Sequence, residues 1–322
     1  MTTVGIVTHA SNTFKKKEKN FTLHAVCNSD IICIMKNNDL CYNKNSAREL
    51  LDANGFKFSK SMGQNFLIDA NIPEKIVTQS GINESCGILE VGPGLGALTF
   101  ALGRAAGKVT AIELDKRLVP ILKNLFAENP NITIIQGDIL RMDIKKLVDK
   151  NMSGLDYHVS ANLPYNITTP AITAFIESGA FKSITVMVQK EVALRICARP
   201  GTSEYGSFTV YSNYHSIPKI LFDVPPECFT PRPKITSSVV KMEIREERIL
   251  TKEDEKTFFK VVRAAFGQRR KTLVNALHSV FDEDYSKAKI TEIVENCGFD
   301  TRIRGEVLGI DEFIKLSSFL NT

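Results

Sequence analysis

Short apolar runs alternate with longer amphipathic stretches through the middle of the 322-residue chain. The apolar runs predict buried strands at 87–91, 108–114, 132–136, 157–163 and 183–189. The stretches between them predict helices near 97–106, 116–128, 142–150 and 168–179. Buried strands that are separated by helices are typical of βαβ units. The pattern therefore predicts an α/β fold with an open, mainly parallel sheet.

The pattern changes after the fifth apolar run. Two further strands, near 215–223 and 236–244, flank a proline-rich turn and are predicted to extend the sheet in antiparallel fashion. After Arg245 only helical periodicity remains, with predicted helices at 252–266, 271–281, 286–296 and 306–319 and a stop at Gly298. We therefore expect an α/β domain at 46–247 and a small all-α domain at 248–322.

The first 45 residues lack sustained periodicity. Organised sequence begins near Ser46, which caps a short predicted helix, and a further helix is predicted from Asn71, with the asparagine as its cap. We expect residues 1–45 to be an extension that is disordered or dispensable, and Met35 offers a second start for translation.

Composition and charge narrow the class of protein. A hydrophobic content of 43% and a charged content of 24% suit a globular protein with a proper core, and exclude collagen-like or disordered chains. The formal charge of +5 comes mostly from residues 1–60, with 9 basic and 5 acidic side chains, whereas residues 246–322 carry 13 and 14. A lysine run such as 15–17 is more often a solvated tail than a nucleic-acid contact. Global charge therefore contributes little to the assignment of a partner.

Seven cysteines form no C-x-x-C pair, which favours reduced thiols in a cytoplasmic protein. Cys27, Cys33 and Cys41 with His24 match no standard ligand spacing, so we predict no metal site. The apolar stretch 31–35 is far too short to span a bilayer, and no signal-peptide pattern is found, so we expect no membrane association.

Three glycines, Gly92, Gly94 and Gly96, lie where a buried strand turns into a helix. Glycine there allows a positive φ and a close approach of a ligand to the backbone. The same letters also satisfy the degenerate pattern of nicotinamide enzymes, and a tight turn without a ligand is a further alternative. Glu113 and Asp138 end the next two strands, where carboxylates can accept ribose hydroxyls and an adenine amine, although each alone could be a surface acid.

The tetrapeptide Asn162-Leu163-Pro164-Tyr165 follows the fourth strand. An adenine amine is a weak nucleophile because its lone pair is delocalised into the ring. Two acceptors, the Asn162 side-chain oxygen and a backbone carbonyl such as that of Leu163, can favour the nucleophilic geometry. Pro164 fixes the turn, and Tyr165 offers a face on which an extruded base can stack. The alternative is an ordinary turn followed by a core tyrosine.

Together these residues resemble the small-subunit (16S) ribosomal RNA adenine dimethyltransferases. The resemblance covers about 46–320 and includes the segments 61–69, 189–206, 224–240 and 266–277. It implies a Rossmann-like class I S-adenosyl-L-methionine-dependent methyltransferase with a C-terminal helical domain. The implied reaction dimethylates the N6 amines of two adjacent adenosines in a hairpin loop near the 3′ end of 16S rRNA, and yields S-adenosylhomocysteine.

The resemblance also implies roles for individual residues. The cofactor would contact Gln64, Asn65, Leu67, Gly92, Gly94, Gly96, Glu113, Asp138 and Asn162. Tyr165 and Phe229 would sandwich the target adenine. RNA phosphates would contact Arg263, Arg269, Arg270 and Lys271, although from sequence alone these cations also suit a solvated helix junction.

Three rival interpretations stay open at this point. A nicotinamide oxidoreductase explains the glycines and Glu113 but leaves the tetrapeptide unexplained. The macrolide-resistance methylases use the same chemistry on 23S rRNA, and segment 189–206 favours the small-subunit branch over them. A ribosome-assembly factor with secondary catalysis is a third class. For the favoured interpretation, the small-subunit dimethyltransferase, we expect a monomer with 16S rRNA within the small subunit or its precursor as the partner.

Overall fold

The computed structural model describes residues 65–320. Its strands are β1 (Phe66–Leu67), β2 (Cys86–Val91), β3 (Lys108–Glu113), β4 (Ile132–Gln136), β5 (Asp156–Asn162), β6 (Ser183–Gln189), β7 (Ser216–Val224), β8 (Phe229–Thr230) and β9 (Ser237–Ile244). Its α-helices are α1 (Asn71–Ser80), α2 (Ala97–Ala105), α3 (Leu118–Leu125), α4 (Ile144–Met152), α5 (Thr168–Ser178), α6 (Lys190–Ile196), α7 (Ser207–His215), α8 (Lys252–Gly267), α9 (Leu273–Phe281), α10 (Lys287–Asn296) and α11 (Ile310–Ser318). The predicted alternation of strands and helices is confirmed.

Seven of the described strands form one sheet, in the order β4-β3-β2-β5-β6-β9-β7. The five strands from β4 to β6 are parallel, whereas β9 runs antiparallel to both β6 and β7. The predicted antiparallel extension is therefore correct. Strand β9 lies between β6 and β7, so β7 is the edge strand. The chain order reverses between β2 and β5, and ligands of open α/β sheets bind outside the carboxyl ends of strands at such a switch point.

Both faces of the sheet are covered, which explains why its strands are apolar throughout. Every residue of β2 is buried, and consecutive residues enter different hydrophobic clusters: Ile88 packs with α1 and α2, whereas Leu89 packs with α4 and α5. A parallel strand that is covered on both faces loses the alternation of a half-exposed strand. The predicted Rossmann-like α/β architecture is confirmed.

A small two-stranded sheet lies apart from the main one. Leu67 of β1 pairs with Phe229 of β8, and the amide of Ile68 donates to the carbonyl of Cys228 at 2.8 Å. This pairing holds the segment that begins at Asn65 against a part of the chain about 160 residues later in sequence. It thereby brings a piece of the amino-terminal segment to the carboxyl edge of the main sheet.

The helices after Arg245 share a hydrophobic cluster of their own, with Phe258, Phe281 and Phe313 fully buried in it. The cluster also contains Tyr205 and residues of α7, which precede Arg245. The division into domains at 46–247 and 248–322 stays a prediction. The extension at 1–45, the helix after Ser46 and the cysteines near His24 lie outside the described residues.

Helix α7 differs from the prediction. His215 was expected in a strand but is the last residue of α7, and β7 begins at the next residue. The helix is fixed by tertiary contacts, because Val210 and Tyr214 are buried in the helical cluster and Thr209 accepts the amide of Gly206 at 3.1 Å. Packing has overridden the strand-like preference of this β-branched and aromatic stretch.

The start of α1 also differs in detail. Asn71 does not cap the helix, because it is the first helical residue. Its amide instead donates to Oδ1 of Asp69 at 2.9 Å. Within residues 65–320, no helix combines the length and the apolarity that a membrane crossing needs.

Candidate active site

A cavity opens at the carboxyl edge of the sheet, around the switch point between β2 and β5. The predicted site residues that line it are Asn65, Leu67, Gly92, Gly94, Glu113, Asp138, Asn162, Leu163, Pro164 and Tyr165. They come from five separate segments, each placed by the end of a strand or by the β1–β8 pairing. The remaining predicted residues lie elsewhere, apart from Gln64, which is outside the described residues.

The glycine-rich turn combines left-handed backbone with close contacts. Gly94 has φ of +59°, and a Cβ there would lie 2.8 Å from a ring carbon of Phe66. Its amide donates to Oε2 of Glu113 at 3.3 Å. Gly96 has φ of +86° but does not line the cavity, because its Cα faces the ring of Phe126, only 2.9 Å from a built Cβ. The three glycines therefore serve two different functions: cavity lining and helix packing.

Glu113 ends β3 with its carboxylate held by backbone donors. Oε1 accepts the amide of Asp115 at 2.8 Å, and Oε2 accepts that of Gly94. Burial raises the pKa of Glu113 above its ordinary value, and these hydrogen bonds counteract part of the shift. A carboxylate fixed in this way retains further lone pairs, which can accept a pair of hydroxyl groups from a ligand.

Asp138 follows β4 and caps a short 3₁₀ turn. Its Oδ1 accepts the amide of Leu140 at 3.1 Å, and its Oδ2 lies 3.4 Å from the exposed Arg141 guanidinium. The side chain is thus oriented by its own turn, at the cavity wall beside Gly137 and Leu140.

The tetrapeptide after β5 presents its polar groups in a defined way. Nδ2 of Asn162 donates to the carbonyl of Asn65 at 3.3 Å, which leaves the side-chain oxygen as an acceptor. The carbonyl of Pro164 accepts both the amide of Ile167 and the hydroxyl of Thr168, at 3.1 and 3.3 Å. Because the Pro164 carbonyl is engaged in the turn, the carbonyl of Leu163 is the better second acceptor.

The two aromatic residues of the predicted base sandwich are placed differently. Tyr165 lines the cavity, and its hydroxyl lies 3.0 Å from Oγ of Ser237. Phe229 is only 3% exposed and packs in the cluster with Val224 and Cys228. The structure therefore brings Tyr165 to the site and leaves Phe229 in the neighbouring core.

The four cations predicted to contact RNA differ in their surroundings. Arg269 donates to the carbonyls of Tyr205 at 2.5 Å and Ser203 at 3.3 Å, so it holds a loop. Arg263 lines a separate groove beneath α7. Arg270 and Lys271 are exposed at the turn between α8 and α9. Two further cations, Lys190 and Arg195 of α6, form ion pairs with Asp223 and Glu191.

Sequence reasoning missed Glu90, which lies inside β2 and lines the cavity. The side chain is 1% exposed, and no described residue donates a hydrogen bond to its Oε2. Burial raises the pKa of Glu90 to about 8, and the nearby Glu113 adds to the shift. The available signal was an acidic residue in the middle of an otherwise apolar strand directly before the glycine-rich turn.

Two leucines were also missed. Leu114 and Leu140 line the cavity next to Glu113 and Asp138, and they are 55% and 41% exposed. Apolar side chains exposed within a concave site are typical of ligand contacts. Their position, one or two residues after the strand-end acids, could have suggested them.

The chain matches the profile of a known protein family. The family described as ribosomal RNA adenine dimethylase matches residues 55–315. A curated relative from Alkaliphilus oremlandii, named ribosomal RNA small subunit methyltransferase A, is 44% identical over 274 residues, which cover 85% of this chain and 95% of the relative. A relative of the same name from Shouchella clausii is 45% identical over 84% of this chain and 92% of its own length.

Solved structures agree with this assignment. A dimethyladenosine transferase from Plasmodium falciparum has a TM-score of 0.67 at 26% identity, and covers 78% of this chain and 95% of that protein. The 23S rRNA methyltransferase ErmE has a TM-score of 0.63 at 22% identity, covering 80% and 100%, which is a similarity of fold alone. By profile, sequence identity and fold, the chain belongs to the ribosomal RNA adenine dimethylase family.

Proposed function

We propose that the protein dimethylates the N6 amines of two adjacent adenosines in a hairpin loop near the 3′ end of 16S rRNA. The methyl donor is S-adenosyl-L-methionine and its product S-adenosylhomocysteine. The observation that carries the proposal is the tetrapeptide at 162–165, which opens on the same cavity as Glu113 and Asp138. The names of the bacterial relatives favour the small subunit as the substrate.

The cavity fits a cationic methyl donor. A sulfonium methyl and an α-ammonium both carry positive charge, and Glu90 provides a buried carboxyl whose Oε2 accepts no hydrogen bond from the described residues. Burying an unpaired carboxylate is costly, so a cation in the cavity would stabilise its ionised form. Glycine at position 94 lets the ring of Phe66 pack directly on the turn, because a Cβ there would lie 2.8 Å from a ring carbon of Phe66.

The other end of the cavity fits an adenosyl group. Glu113 would accept the ribose hydroxyls, and Asp138 would accept the adenine amine. The exposed sides of Leu114 and Leu140 lie beside these acids and would cover the faces of the adenine ring. Asn65 and Leu67 belong to the segment that the pairing of β1 with β8 holds at the cavity, and they would cover the bound cofactor. Gln64, the preceding residue, stays a predicted cofactor contact.

The target amine would be oriented by two acceptors. Asn162, whose Nδ2 is occupied by the Asn65 carbonyl, would direct its oxygen at one N–H, and the Leu163 carbonyl would accept the other. This favours a tetrahedral nitrogen whose lone pair points at the methyl group. Positioning of this kind supplies on the order of 7–11 kcal/mol where alignment is good.

No strong base is needed at the site. The proton of the amine becomes acidic only as the methyl group arrives, and it can then leave to solvent. After the first transfer the amine keeps one N–H, so one acceptor still orients it for the second. Pro164 sets the turn that presents both acceptors, and Tyr165 would stack on the base.

The helical domain at 248–322 would bind RNA at a distance from the cavity. Arg270 and Lys271 are the best candidates for phosphate contacts because they are exposed at a turn. Arg263 is a further candidate, whereas Arg269 is already committed to the loop at 203–205. We propose that the protein acts as a monomer in the cytoplasm, on the small subunit or its precursor.

The test is the identity of the methylated nucleoside. Wild type and Asn162→Ala are each incubated with labelled S-adenosylmethionine and unmethylated small subunits, and the digested rRNA is analysed by mass spectrometry. We expect N6,N6-dimethyladenosine at two adjacent positions with wild type and almost none with the variant. Absence of dimethyladenosine with wild type would overturn the proposal, and cofactor binding without transfer would select the assembly-factor interpretation.

A further inference from the structure

The hydroxyl of Tyr165 has a defined partner on a distant strand. It lies 3.0 Å from Oγ of Ser237, 72 residues later in the chain. Tyr165 begins the 3₁₀ turn after Pro164 and is half-buried, whereas Ser237 is 1% exposed. The tip of a cavity-lining ring is therefore tied to the interior of the sheet.

Ser237 lies within the sheet, between two neighbouring strands. It is the first residue of β9, and it pairs with Gln189 of β6 on one side and with Val224 of β7 on the other. Backbone hydrogen bonds to two neighbouring strands fix its position, and burial restricts its side chain. The turn that carries Tyr165, by contrast, is connected to β6 through the amide of Leu163, which donates to Met187 at 3.3 Å.

We propose that Ser237 is a positioning residue that sets the direction in which the Tyr165 ring points beside the target adenine. A tyrosine held only at its Cα can turn about its first side-chain torsion, and a hydrogen bond at the hydroxyl fixes that torsion because it anchors the far end of the ring. The ring is then in place at the cavity before the base arrives. This rests on the proposed function, in which Tyr165 stacks on the base.

The neighbouring serine provides a matched control. Ser238 is equally buried, at 0% exposure, but its Oγ donates to Oδ1 of Asp223 at 2.6 Å. Asp223 in turn pairs with Nζ of Lys190 at 2.6 Å, outside the cavity. Ser238→Ala therefore removes a buried side-chain hydrogen bond from the same strand without touching Tyr165.

The test compares five variants of the full chain: Ser237→Ala, Tyr165→Phe, their double variant, Ser238→Ala and Tyr165→Ala. Methyl transfer to unmethylated small subunits gives kcat and KM, calorimetry gives the affinity for S-adenosylmethionine, and thermal unfolding gives stability. One hydrogen bond is worth a factor of about 3 to 10. We expect Ser237→Ala and Tyr165→Phe each to lower kcat by that factor, with cofactor affinity unchanged.

The double variant is the decisive arm, because two substitutions that break the same bond are not additive. We expect its kcat to equal that of either single variant, and Ser238→Ala to keep wild-type kcat whatever its thermal stability. Tyr165→Ala should be nearly inactive, because it removes the ring itself. An unchanged kcat in Ser237→Ala, or additive losses in the double variant, would then contradict the proposal. A wild-type protein that methylates no small subunit would instead reject the proposed function, and the positioning role with it.

Discussion

Two regions of the molecule are held in different ways: the carboxyl edge of the sheet and the turn between α8 and α9. At the sheet edge, Glu113 and Asn162 end buried parallel strands, and backbone groups orient both side chains. At the turn, Arg270 and Lys271 are exposed, and Arg269 is bound to a loop instead. The first arrangement is suited to precise chemistry and the second to contact with a mobile polyanion.

From this difference we predict that methyl transfer and RNA affinity can be disrupted separately. Phosphate contacts need charge and reach but little geometry, so exposed cations at a turn suffice. Methyl transfer needs atoms that are placed to within fractions of an ångström. Variants at the two regions should therefore fail in different assays.

The largest effect is expected from Asn162→Ala. Loss of the acceptor that orients the amine should lower kcat about 100-fold or more, on the scale known for single preorganised polar groups. Steady-state methyl transfer to small subunits measures it, and RNA affinity should stay at the wild-type value. Asn151→Ala is the control, because its amide only donates to Leu147 within α4. A kcat within threefold of wild type would show that this edge does not orient the amine.

Glu90→Gln should give the next largest effect, and it depends on pH. The carboxyl has a raised pKa of about 8, so it is neutral at pH 7 and ionised at pH 9. A cationic cofactor prefers the ionised form, so wild-type affinity should rise from pH 7 to pH 9. The glutamine variant should bind about tenfold more weakly at pH 9 and show no such rise. Calorimetry at both pH values measures this.

Stability should show the opposite trend in the absence of cofactor. Because the folded-state pKa of Glu90 is raised from 4.5 to about 8, its contribution to stability is complete below pH 4.5 and is lost as pH rises through 8. Glu90→Gln should therefore gain thermal stability over wild type as pH increases from 6 to 9. Glu74→Gln, an exposed residue of α1, is the control. A parallel pH profile for Glu90→Gln and wild type would argue against a buried carboxyl.

Removal of charge at the helix junction should affect RNA alone. The double variant Arg270→Ala/Lys271→Ala should lose two phosphate contacts, which flattens the slope of log affinity against log salt by about 1.4–1.8. Salt titrations of binding to small subunits measure it, and cofactor affinity should not change. Arg269→Ala should instead lower the melting temperature, because two carbonyls lose their donor. An equal salt slope in wild type and double variant would show that Arg270 and Lys271 do not contact RNA phosphates.

The smallest effects are expected from alanine substitutions at two glycines of the sheet edge, Gly94 and Gly96. Gly94→Ala and Gly96→Ala both force an alanine into left-handed backbone, at a cost of about 1–2 kcal/mol each. Of these two glycines, Gly94 lines the cavity and Gly96 does not. Substitution of Gly94 alone should therefore displace Phe66 there and weaken cofactor binding. Thermal unfolding with calorimetry distinguishes the two. Equal losses of cofactor affinity would place Gly96 at the site as well.

The sheet edge was predictable because several constraints coincide there. Strands buried on both faces are apolar throughout, and the residues at their carboxyl ends must meet at one edge. Glu113, Asp138 and Asn162 were therefore predicted from position, and all three line the cavity. Glu90 was missed because it lies within a strand, where an acid contradicts the pattern and only the folded cavity explains it.

Contacts that depend on distant parts of the chain were not predictable. Arg269 was interpreted with its neighbours as a phosphate ligand, yet its partners are carbonyls 64 and 66 residues away. Phe229 was expected beside the target base but is buried with Val224. Helix α7 was missed because the packing of Val210 and Tyr214 against the helical cluster outweighs local preference. In each case tertiary packing decides what the local pattern leaves open.

The most direct test of the central claim is a competition in one tube. Equimolar unmethylated small and large ribosomal subunits share labelled S-adenosylmethionine and the full-length protein, and label is then counted in each rRNA. We predict dimethyladenosine in 16S rRNA alone, at two adjacent positions near its 3′ end. Label in 23S rRNA, or in neither, would contradict the account.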